Sequence, residues 1–227
     1  VLTLPLQDLP TQGSQWQAEA RGEEKLVCIL PIGRLSLFRL AVQVSRRAAV
    51  RAARTTYLAN WIGRGNVGTG VLSSLDRTCA MTLCADDERL VIVSQQGVFW
   101  NIAAGALPYS PQEALRLAIN DQIICAFPMQ HKPFVLALTQ NGKVFHRPAD
   151  WLEAAHSMGS QGQAVLSPTR LQAGLRIVFA GAVSETDAGL TLEQSGDLCL
   201  MPVREWLDRG ALADKNLVAA AVFTPGQ

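Results

Sequence analysis

Short apolar runs separated by a polar turn recur along the chain, and each pair of runs predicts a β-hairpin. The clearest copy is Val135-Leu-Ala-Leu-Thr-Gln-Asn-Gly-Lys-Val-Phe-His-Arg-Pro148. Its Asn-Gly pair predicts a two-residue turn in which both central residues have positive φ. Similar pairs of runs occupy residues 40–54, 90–102 and 190–202, and residues 1–9 resemble the closing half of a fifth.

The copies follow one another at a nearly constant spacing. Registered on the residue that closes the second strand, they end at Pro5, Arg54, Ile102, Pro148 and Pro202, with steps of 49, 48, 46 and 54 residues. A period in this range, with strands and no helical periodicity, predicts a propeller-like array of small sheets. Each unit is too small to bury its own faces and must stack on its neighbours. A sandwich of unrelated hairpins is the alternative, and it leaves the equal steps unexplained.

We therefore predict one all-β domain over residues 1–227, a propeller-like disc of about five four-stranded blades. The predicted units are 1–36, 37–87, 88–132, 133–187 and 188–227. Closing strands are expected at 78–84, 121–127, 175–183 and 217–223. Ser110 and Pro111 favour a short helical turn in the third unit. The first unit lacks its opening strand, so either the last unit supplies one or the disc stays open. A start within a repeat and without an initiator Met indicates a domain of a longer polypeptide.

Composition excludes several classes of protein. Apolar residues make up 48% of the chain and charged residues 17%, which excludes a disordered polypeptide. The five cysteines are an odd number scattered among apolar neighbours, and the Cys79-x4-Cys84 spacing fits zinc poorly. We expect reduced thiols in a cytosolic protein. No signal peptide is apparent, and the longest uncharged stretch, 90–112, contains two prolines and polar residues that exclude a bilayer helix.

Residues with catalytic chemistry are sparse. His131, His146 and His156 lie apart, beside turns and connectors, and we expect them to be exposed. Asp86-Asp-Glu88 lacks the ligand spacing of a calcium loop and is expected to form a solvated turn. Motifs of hydrolases, phosphate-binding loops and metalloproteases are missing from the sequence. We predict no enzyme, metal, cofactor or small-molecule substrate; an enzyme with a site in the central channel is the weaker alternative.

Positive charge is concentrated at the front of the chain. Residues 1–77 hold ten Lys/Arg against five Asp/Glu, whereas residues 78–227 hold ten against fourteen. Arg46, Arg47, Arg51 and Arg54 fall within nine positions, in a stretch without acidic residues between Arg34 and Asp76. Because the blade faces of a radial array are covered by neighbours, such charges are expected at turns and along the outer rim. Spaced guanidinium groups there would bind the phosphates of a polyanion.

Other cations would extend this rim. Arg64 lies in a glycine-rich connector, Lys143, His146 and Arg147 lie in the fourth unit, and Arg204 lies in the fifth. The third unit has Trp100, Asn101 and Ile102 at the equivalent positions and contributes no charge. The alternative is that the arginines only keep an apolar array soluble.

Two segments carry a resemblance to a known family. Thr139–Pro148 with Trp151, and Val50–Tyr57 with Gly63-Arg-Gly-Asn-Val-Gly68, are similar to the C-terminal domain repeat of type IIA topoisomerase A subunits, a family that comprises DNA gyrase A and its counterpart in topoisomerase IV. The resemblance covers nearly the whole chain, although each motif is degenerate. It implies a β-pinwheel whose blades exchange strands and whose outer edge binds double-stranded DNA beside the cleavage core of the same chain. It also implies a cytoplasmic, nucleoid-associated bacterial protein.

On this resemblance the chain is an accessory domain of an ATP-dependent topoisomerase, whose catalytic tyrosine and metal site belong to the preceding core. Tyr57 and Tyr109 are then not nucleophiles. The DNA-binding residues implied are Arg46, Arg47, Arg51, Arg54, Arg64, Lys143 and Arg147. The basic Gln-Arg-Arg-Gly-Gly-Lys-Gly type of box, which gyrase needs for tight wrapping, is missing here, so a topoisomerase IV-like role fits better than a gyrase-like one.

The function predicted from the sequence is therefore non-catalytic, sequence-nonspecific DNA binding, with DNA bending as a further implication. A propeller that has lost DNA binding and serves protein–protein contact is the alternative.

Overall fold

The computed structural model describes residues 38–57, 76–152, 156–212 and 216–225, and the predicted unit 1–36 lies outside these ranges. Across them the strands form four antiparallel sheets. Sheet 1 contains β1 (Leu40–Ser45), β2 (Ala49–Arg54) and β3 (Thr78–Cys84); sheet 2 contains β4 (Arg89–Ser94), β5 (Val98–Ala103) and β7 (Ile123–Pro128); sheet 3 contains β8 (Phe134–Thr139), β9 (Val144–Pro148) and β11 (Ile177–Val183); sheet 4 contains β12 (Ala188–Glu193), β13 (Leu198–Pro202) and β14 (Leu217–Phe223). The all-β, pinwheel-like prediction is confirmed.

Two-residue strands and short helices complete the described fold. The two-residue strands are β6 (Gln112–Glu113) and β10 (Gln163–Ala164), the α-helices are α1 (Pro168–Gln172) and α2 (Val203–Arg209), and 3-10 turns occupy Ala104–Ala106 and Ala149–Trp151. Neither α-helix was predicted. In α2 the signals were present, since Gly210 ends the helix at φ 62° and Arg204–Asp208 and Arg209–Glu205 are pairs four residues apart.

All four predicted hairpins with described residues are present, but their turns are longer than the Asn-Gly pair suggested. In each, a turn is followed by one left-handed residue: Ala48, Gly97, Gly142 and Gly196 have φ of 65°, 81°, 76° and 93°. Asn141 is not left-handed, so the two-residue turn predicted for Asn141-Gly142 is wrong. A type I turn plus a left-handed residue fits the strand twist equally well and needs glycine at only one position.

Two of these glycines give a matched test of the turn. A Cβ on Gly97 would lie 2.9 Å from Cγ of Leu166, whereas a Cβ on Gly196 would meet nothing within 4 Å. We expect Gly196→Ala to lower the free energy of unfolding by about 1 kcal/mol, the backbone cost alone. Gly97→Ala should cost about 1 kcal/mol more, because Leu166 must also move. Urea denaturation would measure both; equal losses would contradict the steric part.

Consecutive units exchange short strands. β6 pairs with β2 through Ala49–Glu113 and Val50–Gln112, and β10 pairs with β5. In sheet 3 the described residues form a single bridge, Lys143–Ala211, at the equivalent edge. Sheets 1 and 2 therefore have four strands and sheets 3 and 4 have three among the described residues. The helical turn predicted at Ser110–Pro111 is wrong, because the chain there extends into β6.

The apolar cores lie between the sheets. Val42 and Val44 of sheet 1 share a buried cluster with Leu90, Ile92 and Trp100 of sheet 2. The other face of sheet 2 shares a second cluster with sheet 3, and the other face of sheet 3 shares a third with sheet 4 and α2. β1 is buried at every position, as expected of a strand that is covered on both faces.

Backbone hydrogen bonds lock neighbouring sheets at the end that carries the hairpin turns, which we call the turn end. Arg46, Gln95 and Gln140 are each the first residue of a hairpin turn. Their carbonyls accept hydrogen bonds of 2.9, 2.9 and 2.7 Å from the amides that open β7, β11 and β14, each in the next sheet. The second hairpin strands finish at the opposite, far end, at Arg54, Ala103, Pro148 and Pro202. The third copy thus closes on Ala103, one residue beyond the predicted Ile102.

Candidate nucleic-acid interface

The four clustered arginines occupy the first hairpin. Arg46 and Arg47 lie in the turn and are exposed, and the backbone fixes their position. The Arg46 amide donates to the carbonyl of Arg77 at 2.9 Å, and the Arg47 amide donates to Oδ1 of buried Asp76 at 3.2 Å. The turn is therefore tied to the segment that leads into β3, and its two side chains leave a supported backbone.

Arg51 and Arg54 lie on β2, the outer strand of the hairpin. Alternation places Val50 and Ala52 in the core between sheets 1 and 2, so Arg51 projects from the opposite face and is half-buried. Arg54 is exposed where the strand ends. The four arginines consequently follow the hairpin from the turn end to the far end rather than forming one compact patch.

Among the described residues these four guanidinium groups enter no ion pair. The pairs found join Arg39 to Asp86, Lys132 to Asp187, Arg204 to Asp208 and Arg209 to Glu205. Internal ion pairing of the cluster would have removed its capacity to bind phosphate, and the described residues show none.

An open cleft at the turn end brings Arg46 and Arg47 close to carboxylates. It has a volume of about 320 Å³ and is lined by Arg46, Arg47, Asp76, Arg77, Asp121 and Gln122. Asp121 accepts amide bonds from Gln96 and Gln122 through Oδ1, while its buried Oδ2 has no partner among the described residues. The cleft therefore combines cationic and anionic groups, and its positive character is weaker than that of the exposed turn beside it.

The remaining predicted cations are dispersed. Lys143 is exposed beside the turn of the third hairpin, whereas exposed Arg147 lies near the far end of β9, where its Nη1 donates to the carbonyl of His146 at 3.0 Å. Arg64 lies outside the described residues. Sheet 2 lies between these cations and the arginines of sheet 1 along the chain, and its second hairpin strand, β5, carries no charge.

Two exposed arginines that the sequence did not single out lie beside β10 and β9. Arg116 follows β6, and its amide donates to the carbonyl of Ser160 at 3.0 Å, close to β10. Arg170 of α1 stacks over the ring of Phe145 on β9, with its Cζ 4.8 Å from the ring centroid. No motif marks either residue, because both positions depend on donated strands and on a short helix.

The other chemistry considered from the sequence has structural explanations. The described histidines differ: His131 is exposed as expected, but His146 is half-buried against Phe134, and Nδ1 of half-buried His156 accepts the Asn101 amide at 3.2 Å. Burial lowers the pKa of His156 below its ordinary 6.5. Expecting all three to be exposed was wrong, because connector residues also pack onto the sheets.

The cysteines and the acidic run behave as expected where they are described. Cys79, Cys84, Cys125 and Cys199 are free, and burial raises the pKa of the first three thiols to about 12. Glu88 closes a turn by accepting the amide of Ala85 at 2.8 Å. Among the described residues, no cluster of His, Cys, Asp or Glu could hold a metal ion. No helix in the same ranges has the length and apolarity needed to cross a bilayer.

Solved structures share this fold. The C-terminal domain of DNA topoisomerase IV aligns with a TM-score of 0.64 and 12% identity over 82% of this chain and 62% of that chain. The DNA gyrase A C-terminal domain aligns with a TM-score of 0.65 and 14% identity, covering 81% and 65%. The E. coli ParC C-terminal domain aligns with a TM-score of 0.61 and 15% identity, covering 82% of both chains.

No family model matches the sequence, and no curated protein matches it. The chain spans less than two thirds of the length of the first two structures. At these identities the likeness establishes the β-pinwheel fold, and the resemblance predicted from the sequence is confirmed at that level.

Proposed function

We propose that this chain is a non-catalytic domain that binds duplex DNA without sequence specificity along β2, the second hairpin strand of sheet 1. The observation that carries the proposal is the set of four guanidinium groups, Arg46, Arg47, Arg51 and Arg54, that have no ion-pair partner among the described residues. Guanidinium groups release condensed counterions when they bind phosphates, which supplies affinity without reading bases.

The path of the DNA continues from sheet 1 toward sheet 3 in this proposal. Arg116 and Arg170 bridge the region beside uncharged β5, and Lys143 and Arg147 extend it. Arg64, which lies outside the described residues, is retained as a contact. Since these cations are spread over the outer side rather than clustered, the duplex would bend gently around the disc instead of wrapping tightly.

The domain would act beside the cleavage core of a type IIA topoisomerase A-type subunit, in a topoisomerase IV-like role in the bacterial cytoplasm. Residues 1–227 would form a single domain. The fold shared with the C-terminal domains of topoisomerase IV and gyrase A supports this assignment. No cofactor or small-molecule substrate enters the proposal.

Fluorescence anisotropy with a labelled duplex across a salt series would test the proposal. Each phosphate contact contributes about −0.9 to the slope of log affinity against log salt. We expect Arg46→Gln/Arg47→Gln to reduce the slope by about 2 and to weaken binding roughly tenfold or more at low salt. Glutamine is a suitable replacement because Gln95, Gln140 and Gln194 open the other hairpin turns.

The matched control is Arg204→Gln/Arg209→Gln, which removes the same charge from α2 beside sheet 4. Arg204 was predicted from the sequence to extend the rim, but both control arginines pair with carboxylates of their own helix, so this variant should retain the wild-type slope. An equal loss of DNA affinity in both variants would show that net charge, and not the position of the arginines, determines binding. Affinity indifferent to salt and to both variants would refute DNA binding and leave the protein-interaction alternative.

A further inference from the structure

One apolar side chain projects into solvent at the turn end. Ile119 lies in the loop between Leu115 and β7 and is 89% exposed, the largest exposed fraction of any large apolar side chain in the described ranges. It therefore contributes little to the core. A single exposed isoleucine needs no explanation by itself, so its meaning depends on what holds it and on what surrounds it.

Ile119 occupies the first of the two central positions of a tight turn. The Asp121 amide donates to the carbonyl of Ala118 at 3.1 Å, and Asn120 has a φ of 62°. A left-handed asparagine at the second central position is typical of a type II turn, in which proline is common at the first. Neither the turn nor the core therefore accounts for an isoleucine here.

The turn is tied to the hairpin turn of sheet 2. Gln96 donates its Nε2 to the carbonyl of Ile119 at 3.3 Å, and the Gln96 amide donates to Oδ1 of Asp121 at 3.0 Å. The same Oδ1 accepts the Gln122 amide at 2.9 Å. These bonds hold Ile119 in one position, so the side chain loses little further freedom when it enters a binding partner.

Exposed arginines lie on both sides of Ile119 along the chain. Arg116 precedes it by three residues, and four residues after it the Ile123 amide donates to the carbonyl of Arg46 at 2.9 Å. Asp121, two residues from Ile119, lines the same cleft as Arg46. Its carboxylate is half-buried and accepts backbone amides, so the apolar tip lies between exposed cations.

Duplex DNA is the partner that fits this combination. Proteins that bind the minor groove insert apolar side chains, isoleucine among them, between base steps, while arginine and lysine contact the groove. A protein partner fits less well, because one side chain offers far less apolar area than the roughly 800 Å² per partner of a stable interface. The neighbouring Ala118 and Asn120 add little to that area.

We propose that Ile119 acts as an apolar wedge, which enters the minor groove, separates two stacked base pairs and kinks the duplex where it passes from sheet 1 to sheet 2. This inference rests on the proposed function, and it adds a local kink of roughly 20° or more to the gentle bend around the disc. Unstacking costs least at a mismatched pair. The domain should therefore prefer a duplex with a weakened step without reading its sequence.

A duplex of about 25 base pairs with a dye at each end would report bending through energy transfer and binding through anisotropy. Wild type should bend it, and should bind the same duplex with one central mismatch roughly tenfold more tightly. Ile119→Ser should lose the kink and the mismatch preference but keep the slope of log affinity against log salt, because no phosphate contact is removed. Ile119→Leu should restore both.

The matched control is Leu198→Ser, which removes an apolar side chain that is 66% exposed on β13 of sheet 4 and should behave as wild type. Salt-dependent binding with the same bend and the same mismatch preference in wild type and Ile119→Ser would overturn the wedge and leave the proposed function standing. Affinity indifferent to salt in all four proteins would overturn the proposed function, and the wedge with it.

Discussion

Replacing Asp187 with asparagine is expected to lower the free energy of unfolding by about 3–5 kcal/mol, the usual cost of leaving one member of a buried ion pair unpaired. The side chain of Asp187 is 1% exposed, and its Oδ1 lies 2.8 Å from Nζ of Lys132. Oδ1 also accepts the Thr224 hydroxyl at 2.9 Å, and Oδ2 accepts the Ser184 amide at 2.8 Å. One carboxylate thus joins the turns before β8 and β12 to the segment after β14.

Asparagine keeps the shape of the side chain but removes its charge and one of its two acceptor oxygens, so the loss measures the network of Lys132, Ser184 and Thr224 around this carboxylate. The control is Asp86→Asn, which breaks the surface pair with Arg39, where the two side chains are 45% and 81% exposed. We expect a loss of at most about 1 kcal/mol there. Chemical denaturation at neutral pH would measure both, and equal losses would show that the Asp187 network contributes no more than a surface pair.

The same carboxylate should make stability depend on pH in acid. Burial by itself would raise its pKa, but the hydrogen bonds from Lys132, Ser184 and Thr224 outweigh burial and hold the pKa below its ordinary 3.8. A depressed folded-state pKa contributes stability that is complete above 3.8 and is lost as pH falls through the lower folded value. Wild type should therefore lose more stability than Asp187→Asn below about pH 4.

Adding one methyl group at Gly189 is expected to destabilise the protein by about 3 kcal/mol. A Cβ there would overlap Cζ2 and Cη2 of Trp206, whose indole is fully buried between sheet 4 and sheet 3. The absence of a side chain at Gly189 thus lets the Trp206 ring of α2 pack directly against the backbone of β12. Gly189→Ala must displace either the ring or the strand.

The control is Gly181→Ala on β11, where a Cβ would approach the ring of Phe179, nearest at Cζ, 3.1 Å away. That ring can move by a few tenths of an ångström, so we expect a loss of less than about 1 kcal/mol. In a double-mutant cycle, Trp206→Phe should recover part of the Gly189→Ala loss, because the smaller ring removes the clashing atoms. Additive losses would show that the strain lies in the backbone instead.

The repeated hairpins could be predicted from sequence because their determinants are local. Apolar alternation and a turn residue suited to positive φ fix each strand pair within fifteen residues. Ala48 shows the limit: its left-handed φ of 65° carries no glycine signal, although the surrounding hairpin is unchanged. The burial of Val50 and Ala52 on one side of β2 maintains the register there.

The remaining features depend on partners distant in sequence. β6 has two residues, and only its pairing with β2 makes it a strand, so Gln112–Glu113 showed no strand pattern. For the candidate interface, the sequence placed the arginines near turns and strand ends. The separation between the arginines of sheet 1 and the cations of sheet 3 depends on how the sheets stack, which the sequence does not show. Arg170 became a neighbour of β9 only through α1 and its contact with Phe145.

Strand donation gives the chain a direction. Sheet 1 lacks its fourth strand until residue 113 is made, sheet 2 until residue 164, and the edge of sheet 3 lacks its bridge until residue 211. During synthesis on the ribosome the second hairpin strand of each new sheet would therefore have one unpaired edge, which is paired only after the next unit has been made. Truncation of one unit from the carboxyl terminus should accordingly destabilise two units: the unit that is removed and the preceding unit, which loses its donated strand.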